Sequence, residues 1–271
     1  MKTCNERAPL SPRQTLLDVF PARAPRVLSG SESGHPTPVD PTVTPTCPTC
    51  PVSGAALLVQ EAAATYTNPA LEKEAGGTLR LWALFPPEGN VHGRPVLSHA
   101  EIPAKGSDNV RAAALHDSML HYVSQKNGKL YYGIVPVVAS VVEGQPRIGF
   151  VGDKIEPIEI AADNNSAKND RPTLDVTANG SAIITYSYVH ANGTRRSLGM
   201  AVVKLQNGVP VVVKSDRGFG MGVEEAVDAW KQLDYTGTAR DPLYAEQVWF
   251  AQPVTGGPKR EFWSGVVNSS P

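Results

Sequence analysis

The sequence predicts an α+β fold with a predominantly antiparallel sheet, carried behind an extended N-terminal arm. Three observations lead to this prediction: Asn-Gly pairs spaced like the turns of one meander, β-branched and aromatic runs between those turns, and two or three segments of helical character. The chain has 271 residues and is 41% hydrophobic, which is enough to bury a sizeable core. We expect the sheet to be sandwich-like or a partial barrel.

The first 54 residues differ in composition from the rest of the chain. Residues 1–54 are predicted to form an arm rich in Pro, Thr and Ser, and residues 55–271 a β-rich globular domain. Because proline fixes φ and lacks an N–H group, neither a helix nor a central strand is expected between Pro21 and Pro51. Ser11-Pro12 is a typical helix start. The short segment after it is predicted to dock on a partner through Leu16, Leu17 and Phe20.

Three segments of the globular part are predicted to be helices. The composition of Ala55 to Tyr66 favours a helix. An apolar stripe with a capping residue predicts a second helix from Asp108 to Lys126, ended by Asn127-Gly128. A third is predicted from Gly222 to Leu233, where apolar residues share one face.

The strongest pattern is a four-stranded meander over residues 173–214. Its turns are Asn179-Gly180, Asn192-Gly193 and Asn207-Gly208. Asn-Gly supplies the two positive φ angles of a type I′ hairpin turn. The predicted strands are Thr173–Ala178, Ser181–His190, Arg195–Gln206 and Val209–Lys214.

The end of this meander, Lys214 to Phe219, resembles the Asp-box turn found in sialidase-like propeller blades. It differs from that turn because the hydroxyl-bearing residue is displaced and no Trp closes it. A second copy at a fixed period is not expected. A propeller-like protein that binds or cleaves carbohydrate is therefore the alternative function.

Charge and hydropathy exclude several classes of partner. With 25 basic and 26 acidic residues, the chain offers no strong electrostatic attraction for nucleic acid. We expect no membrane-spanning segment, since no apolar run reaches the length of about 18–20 residues that a bilayer requires. The N-terminus has no apolar stretch typical of a Sec signal, so cytoplasmic synthesis is expected, with possible incorporation into a virion or other large assembly.

Candidate ligand-binding residues are few, and no catalytic residue or cofactor is predicted. Cys4, Cys47 and Cys50 are weak metal candidates, because a lone C-x-x-C provides only two of the four ligands of a zinc site. A glycine-rich loop between a predicted strand and helix is a candidate anion site and a third functional hypothesis, nucleotide binding. Its residues are Gly218, Gly220 and Gly222.

Two adjacent aromatic pairs occur near the C-terminus. Alternation along a strand places one member of each pair on the face directed away from the core. These outward rings are the predicted contact surface, for a protein or a sugar, and come from Trp249, Phe250, Phe262 and Trp263.

The leading functional hypothesis is a non-enzymatic assembly protein, such as a head or tail component of a virion. In this hypothesis the arm docks on neighbouring subunits of a homo- or hetero-oligomer, and the β-rich body packs or decorates the assembly. It depends on the pairing of a core-poor arm with a body that contains no cysteine.

Overall fold

The computed structural model describes residues 37–41, 56–62, 77–85, 95–104, 110–160, 166–190, 196–221, 236–256 and 259–270. In this part of the chain 77% of residues are in strands and none in helices, so the predicted α+β class is wrong. None of the described residues belongs to a helix that could cross a membrane. The strands are β1 (Thr37–Pro41), β2 (Ala56–Ala62), β3 (Thr78–Phe85), β4 (Val96–Pro103), β5 (Val110–His116), β6 (Met119–Lys126), β7 (Lys129–Val142), β8 (Gln145–Phe150), β9 (Ile158–Glu159), β10 (Ser166–Val176), β11 (Ala182–His190), β12 (Arg196–Gln206), β13 (Val209–Met221), β14 (Gly237–Arg240), β15 (Gln247–Gly256) and β16 (Lys259–Asn268).

The described strands form three sheets, of nine, four and three strands, and the two halves of the nine-stranded sheet pack against each other, which gives four layers. The first layer is β1–β4 and the second is β5–β8, with β9 paired to β7; a parallel pairing of β1 with β5 joins the two. The third layer is the meander β10–β13, and the fourth is β14–β16. The architecture is therefore a stack of sheets, in place of the predicted sandwich or partial barrel.

Three hydrophobic cores separate the four layers. The first core lies between layers one and two and includes Leu81 and Tyr122. The second core lies between layers two and three and includes Val123 and Tyr186. The third core lies between layers three and four and includes Phe250. Layers two and three thus bury both of their faces.

Layers two, three and four repeat the same cross-strand pair, an aromatic residue on the second strand opposite a glycine on the third. The pairs are Tyr122 with Gly133, Tyr186 with Gly199, and Phe250 with Gly265. The aromatic residues recur after 64 positions, from 122 to 186 and from 186 to 250, and the glycines after 66, from 133 to 199 and from 199 to 265. This recurrence concerns the aromatic–glycine pair and not the Asp-box turn, for which no second copy is expected. Repeated antiparallel layers of this kind are typical of neighbouring propeller blades.

The prediction of a helix from Asp108 to Lys126 is wrong. Its described residues form the hairpin β5–β6, which turns at Asp117-Ser118 with φ angles of 47° and 61°. Asn127-Gly128 does not end a helix; with φ angles of 51° and 76° it is the turn between β6 and β7. Six consecutive residues of β6 are buried, so the strand lacks the apolar–polar alternation that identifies a half-exposed strand.

The other predicted helices have different outcomes. Ala56–Ala62 is strand β2, which pairs with β1 and β3, so sheet pairing overrides the helical propensity of this segment. The prediction for Gly222 to Leu233 lies outside the described residues, as does the docking segment with Leu16, Leu17 and Phe20.

The predicted meander is present, with longer outer strands. Asn207-Gly208 has φ angles of 54° and 80°, as a type I′ turn requires. The turn at Asn179-Gly180 differs, because only Gly180 has positive φ and the N–H of Thr177 bonds to Ser181 across a three-residue loop. β10 begins at Ser166, seven residues before the predicted start at Thr173, and β13 continues to Met221.

β1 contradicts the expectation that the proline-rich segment contains no central strand. It lies between β2 and β5 in the sheet, but its first two residues pair only with β2 and its last three only with β5. This exchange of partners is compatible with two prolines, since neither has to donate to a continuous ladder. The division into an arm of residues 1–54 and a body stays a prediction.

Candidate functional site

Of the predicted contact aromatics whose side chains the structure describes, Trp249 on β15 is the exposed one. Its relative exposure is 49%, whereas that of its neighbour Phe250 is 7%. Phe250 points into the third core and Trp249 to the opposite side of the fourth layer, as strand alternation requires. We refer to this opposite side, the surface of β14–β16 that carries Trp249, as the outer face.

Asp241 fixes the indole of Trp249. The Nε1 group of Trp249 donates a hydrogen bond of 2.6 Å to Oδ2 of Asp241, directly after β14. The other oxygen, Oδ1, accepts from the backbone N–H groups of Leu243 and Tyr244, at 2.7 and 3.0 Å. The bond from Leu243, with the bonds from Trp249 and Tyr244, lowers the pKa of Asp241 against the opposing effect of burial. This carboxylate is therefore ionised at neutral pH, and it anchors both the turn and the ring.

Small side chains surround Trp249 on the outer face. In the register of the sheet Trp249 lies opposite Ala239 on β14 and Val266 on β16, and the next row contains Ala251 and Ser264. All four of these neighbours are exposed. The indole consequently projects beyond the shorter side chains around it, and a flat molecule can approach it.

The repeat shows what this position does in the other layers. Counting back by 64 residues from 249 gives Thr185 in layer three and then His121 in layer two. Both are buried against the following layer, with relative exposures of 1% and 2%. Among the described residues, no fifth layer covers Trp249. The outer face is thus the equivalent of two faces that bury protein.

His121 belongs to a buried polar cluster in the second core. Its Nδ1 atom lies 2.6 Å from the hydroxyl group of Tyr132, and its ring centroid is 6.5 Å from that of His116 in an edge-on arrangement. Burial lowers the pKa of His121 to about 3, and the nearby His116 adds to this effect. Burial also lowers the pKa of His116 and raises that of Tyr132. Both imidazole rings are therefore neutral at pH 7.

A second polar cluster lies in the third core around Gln252, which is fully buried. Its Nε2 group lies 3.1 Å from Oγ1 and 3.3 Å from the carbonyl oxygen of Thr185, and 3.2 Å from the carbonyl oxygen of Arg171. Thr185 also shares a 2.7 Å hydrogen bond with Thr173. One side chain thus connects β15 with two strands of the meander, which is a structural role.

A third cluster lies on the first layer. Nε of Arg80 donates to Glu101 at 2.6 Å, and its guanidinium is 5.5 Å from the ring centroid of Trp82. The Trp82 ring in turn contacts His99, with centroids 4.8 Å apart. Since Arg80 and Trp82 are only 7% and 3% exposed, this cluster is better suited to packing than to ligand contact.

The remaining predicted site residues are placed only in part. Gly218 and Gly220 lie within strand β13 and not in a loop, while Gly222 is outside the described residues. Phe262 and Trp263 lie on β16, but their side chains are not described. Cys4, Cys47 and Cys50 are also outside. Within the described ranges no group of three His, Cys, Asp or Glu residues could hold a metal ion.

Sequence reasoning singles out Trp249 but not the residues that hold it. Asp241 follows the strand and precedes Pro242, a pattern that signals only a turn. His121 falls within the segment wrongly predicted to be a helix. The signal that could have located His121 is the repeat, in which the aromatic residues recur every 64 positions and the glycines every 66.

Comparison with known proteins gives limited results. No protein-family model matches the chain, and no curated protein sequence matches it. The structural neighbours are sialidases of Trypanosoma rangeli: one in complex with 2,3-difluoro-KDN has a TM-score of 0.47 and 10% identity, and one with the inhibitor DANA has 0.46 and 11%. A third, with sialic acid, has a TM-score of 0.44 and 11% identity.

These matches cover 86–87% of this chain but only 35–37% of the sialidase chains, so the chain spans about a third of their length.

Proposed function

We propose that this protein binds carbohydrate on the outer face of the fourth layer, with Trp249 as the main contact. The observation that carries the proposal is the half-exposed indole, held by Asp241 above a surface of small side chains. One face of a pyranose ring presents mainly C–H groups, and placing it against an aromatic ring removes apolar area from water. Because the ring is held in place before binding, little side-chain entropy is lost when the sugar arrives.

Binding is favoured over cleavage by the state of Asp241. A glycosidase needs one carboxylic acid that is protonated when it meets the glycosidic oxygen. Asp241 is the carboxylate nearest to Trp249 in the hydrogen-bond network, and its pKa is lowered by three donors. It is a poor proton donor and a good anchor, so the site supports recognition without hydrolysis.

A glycan array followed by calorimetric titration of any hit tests this proposal. We expect a sugar that binds the wild-type chain and whose affinity falls at least tenfold in Trp249→Ala. Tyr244→Ala is the matched control, since Tyr244 is 60% exposed but lies in the turn and not on the sheet. No hit on the array, or equal losses in both variants, would rule out the proposal.

A second candidate function follows from the repeat. In layers two and three the positions equivalent to Trp249 are buried against the next layer, so the outer face has the character of an assembly surface. This favours self-association through the outer face, with a second copy of the chain as occupant, whereas docking through the arm of residues 1–54 stays a prediction.

Light scattering at micromolar concentration distinguishes the two functions. An oligomer that dissociates in Trp249→Arg favours assembly, because a charge in a buried contact is costly. A monomer at all concentrations, with sugar binding, favours recognition.

A further inference from the structure

Two histidines in the second core take no part in the proposed carbohydrate site. His116 is the last residue of β5 and His121 lies on β6, and they are 4% and 2% exposed. Ala114, which pairs with His121 in the sheet, belongs to the second core, so both histidines face layer three. We call His116 and His121 the histidine pair.

Titratable and charged groups approach the histidine pair from several elements. Asp117 in the β5–β6 turn has its Oδ2 atom 3.3 Å from Nε2 of His116, but its carboxylate is largely exposed, so water weakens the attraction. Arg240 on β14 is near enough for its charge to oppose a proton on His116. The remaining groups on facing strands are phenols: Tyr132 on β7, and Tyr186 and Tyr188 on β11.

The hydrogen bonds of the histidine pair favour the neutral form of both imidazole rings. The short bond between Nδ1 of His121 and the Tyr132 hydroxyl is satisfied when the phenol donates and the imidazole accepts. A proton on Nδ1 would force the hydroxyl to give up that role. The Nδ1 atom of His116 is buried and has no hydrogen-bond partner among the described residues. A charge on this ring would have only the largely exposed carboxylate of Asp117 as counter-ion, and water screens that attraction.

We propose that the histidine pair makes the contact between layers two and three labile to acid, so that mildly acidic solution opens this interface. Two like charges 6.5 Å apart inside an apolar core, beside Arg240, repel each other with little screening. The histidines thus act as a pH-sensitive switch, because imidazole is the side chain whose ordinary pKa lies in this range.

The direction of the effect follows from the lowered pKa of His121. A folded-state pKa of about 3, against 6.5 in the unfolded chain, means that the open form binds the proton more tightly. The closed interface is fully favoured above pH 6.5 and becomes less favoured as the pH falls towards 3. At pH 5, His121 alone should raise the open population by about 30-fold relative to pH 7.5.

Hydrogen exchange of the full chain at pH 7.5 and 5.0, corrected for intrinsic rates, measures this opening. We expect exchange protection in β5–β7 and β10–β12 to fall by at least 30-fold, while β15–β16 changes much less. The variant His121→Phe with Tyr132→Phe removes the titrating ring together with the hydroxyl group it bonds, so that neither is left without the other. It should recover most of the protection at pH 5.0.

His99→Gln is the control, since His99 is exposed on the first layer and should leave the acid response unchanged. An equal loss of protection in β15–β16 would show that the chain unfolds globally and would overturn the proposal. So would unchanged protection in the wild-type chain at pH 5.0, a measurement that requires no variant to fold.

Discussion

The side chain of Tyr186 covers Gly199 on the neighbouring strand so closely that a Cβ atom at Gly199 would lie less than 3.0 Å from two ring carbons and the hydroxyl oxygen. The two residues are direct register partners in β11 and β12. Tyr122 with Gly133 and Phe250 with Gly265 have the same relationship in the adjacent layers. Covering a strand glycine with an aromatic ring compensates for its missing side chain and fixes the register of the two strands.

Gly199→Ala should therefore destabilise the protein. Tyr186 is fully buried, so its ring has little space to move, and the added methyl group overpacks the second core at a cost of about 1–3 kcal/mol. Urea unfolding followed by circular dichroism measures the loss. Gly237→Ala is the control, because a Cβ atom added at Gly237 would meet nothing within 4 Å and the stability should change little. Equal stability of the two variants would contradict the close packing.

A strand is easier to predict from sequence when one face of its sheet is exposed than when both faces are buried. The meander is predictable because Asn207-Gly208 and its companions are strong turn signals between strands with visible alternation. The hairpin β5–β6 is not, because its turn, Asp117-Ser118, lacks glycine and β6 is buried on both sides. A strand that is buried on both faces shows no apolar–polar alternation in its sequence. It can be recognised only when the stacking of the layers is known.

The candidate site shows the same limit. The exposure of Trp249 follows from alternation alone, since one member of an adjacent aromatic pair on a strand must face outward. The bond from Trp249 to Asp241 crosses a turn of several residues, and the pairing of Gln252 with Thr185 spans 67 positions. Contacts of this length depend on how the layers stack, which no local pattern encodes.

Ser118→Gly should stabilise the β5–β6 turn. Ser118 has a φ of 61°, a left-handed conformation that costs an ordinary residue about 1–2 kcal/mol and glycine almost nothing. We expect a gain of about 0.5–1 kcal/mol in the free energy of unfolding, after subtraction of the greater flexibility of glycine in the unfolded chain. Ser118→Ala retains the strain and should bring no gain. A loss of stability in Ser118→Gly would mean that its hydroxyl group matters more than its backbone.

Gln252→Leu should destabilise the contact between layers three and four. The substitution keeps a similar volume but removes the Nε2 donor, which leaves the buried carbonyl oxygen and hydroxyl group of Thr185 with fewer partners. An unsatisfied buried polar group costs about 1–3 kcal/mol, and urea unfolding should show a loss of this size. Thr185→Val together with Gln252→Leu removes both polar partners and should recover part of the stability. If the double variant loses as much stability as the two single variants combined, the two side chains act independently.

Asp241→Asn should release the indole of Trp249 while keeping the turn. The amide oxygen can still accept from the N–H groups of Leu243 and Tyr244, but the amide nitrogen then faces the indole N–H, and two donors cannot bond. Loss of one hydrogen bond that orients the ring should weaken sugar binding by about 3–10-fold. Fluorine NMR of the chain labelled with 5-fluorotryptophan, assigned with Trp249→Phe, would follow the ring directly. Asp216→Asn, at an exposed position on β13, is the matched control. A sharp, unshifted Trp249 signal in Asp241→Asn would show that small side chains alone position the ring, and that preorganisation by the carboxylate contributes nothing to recognition.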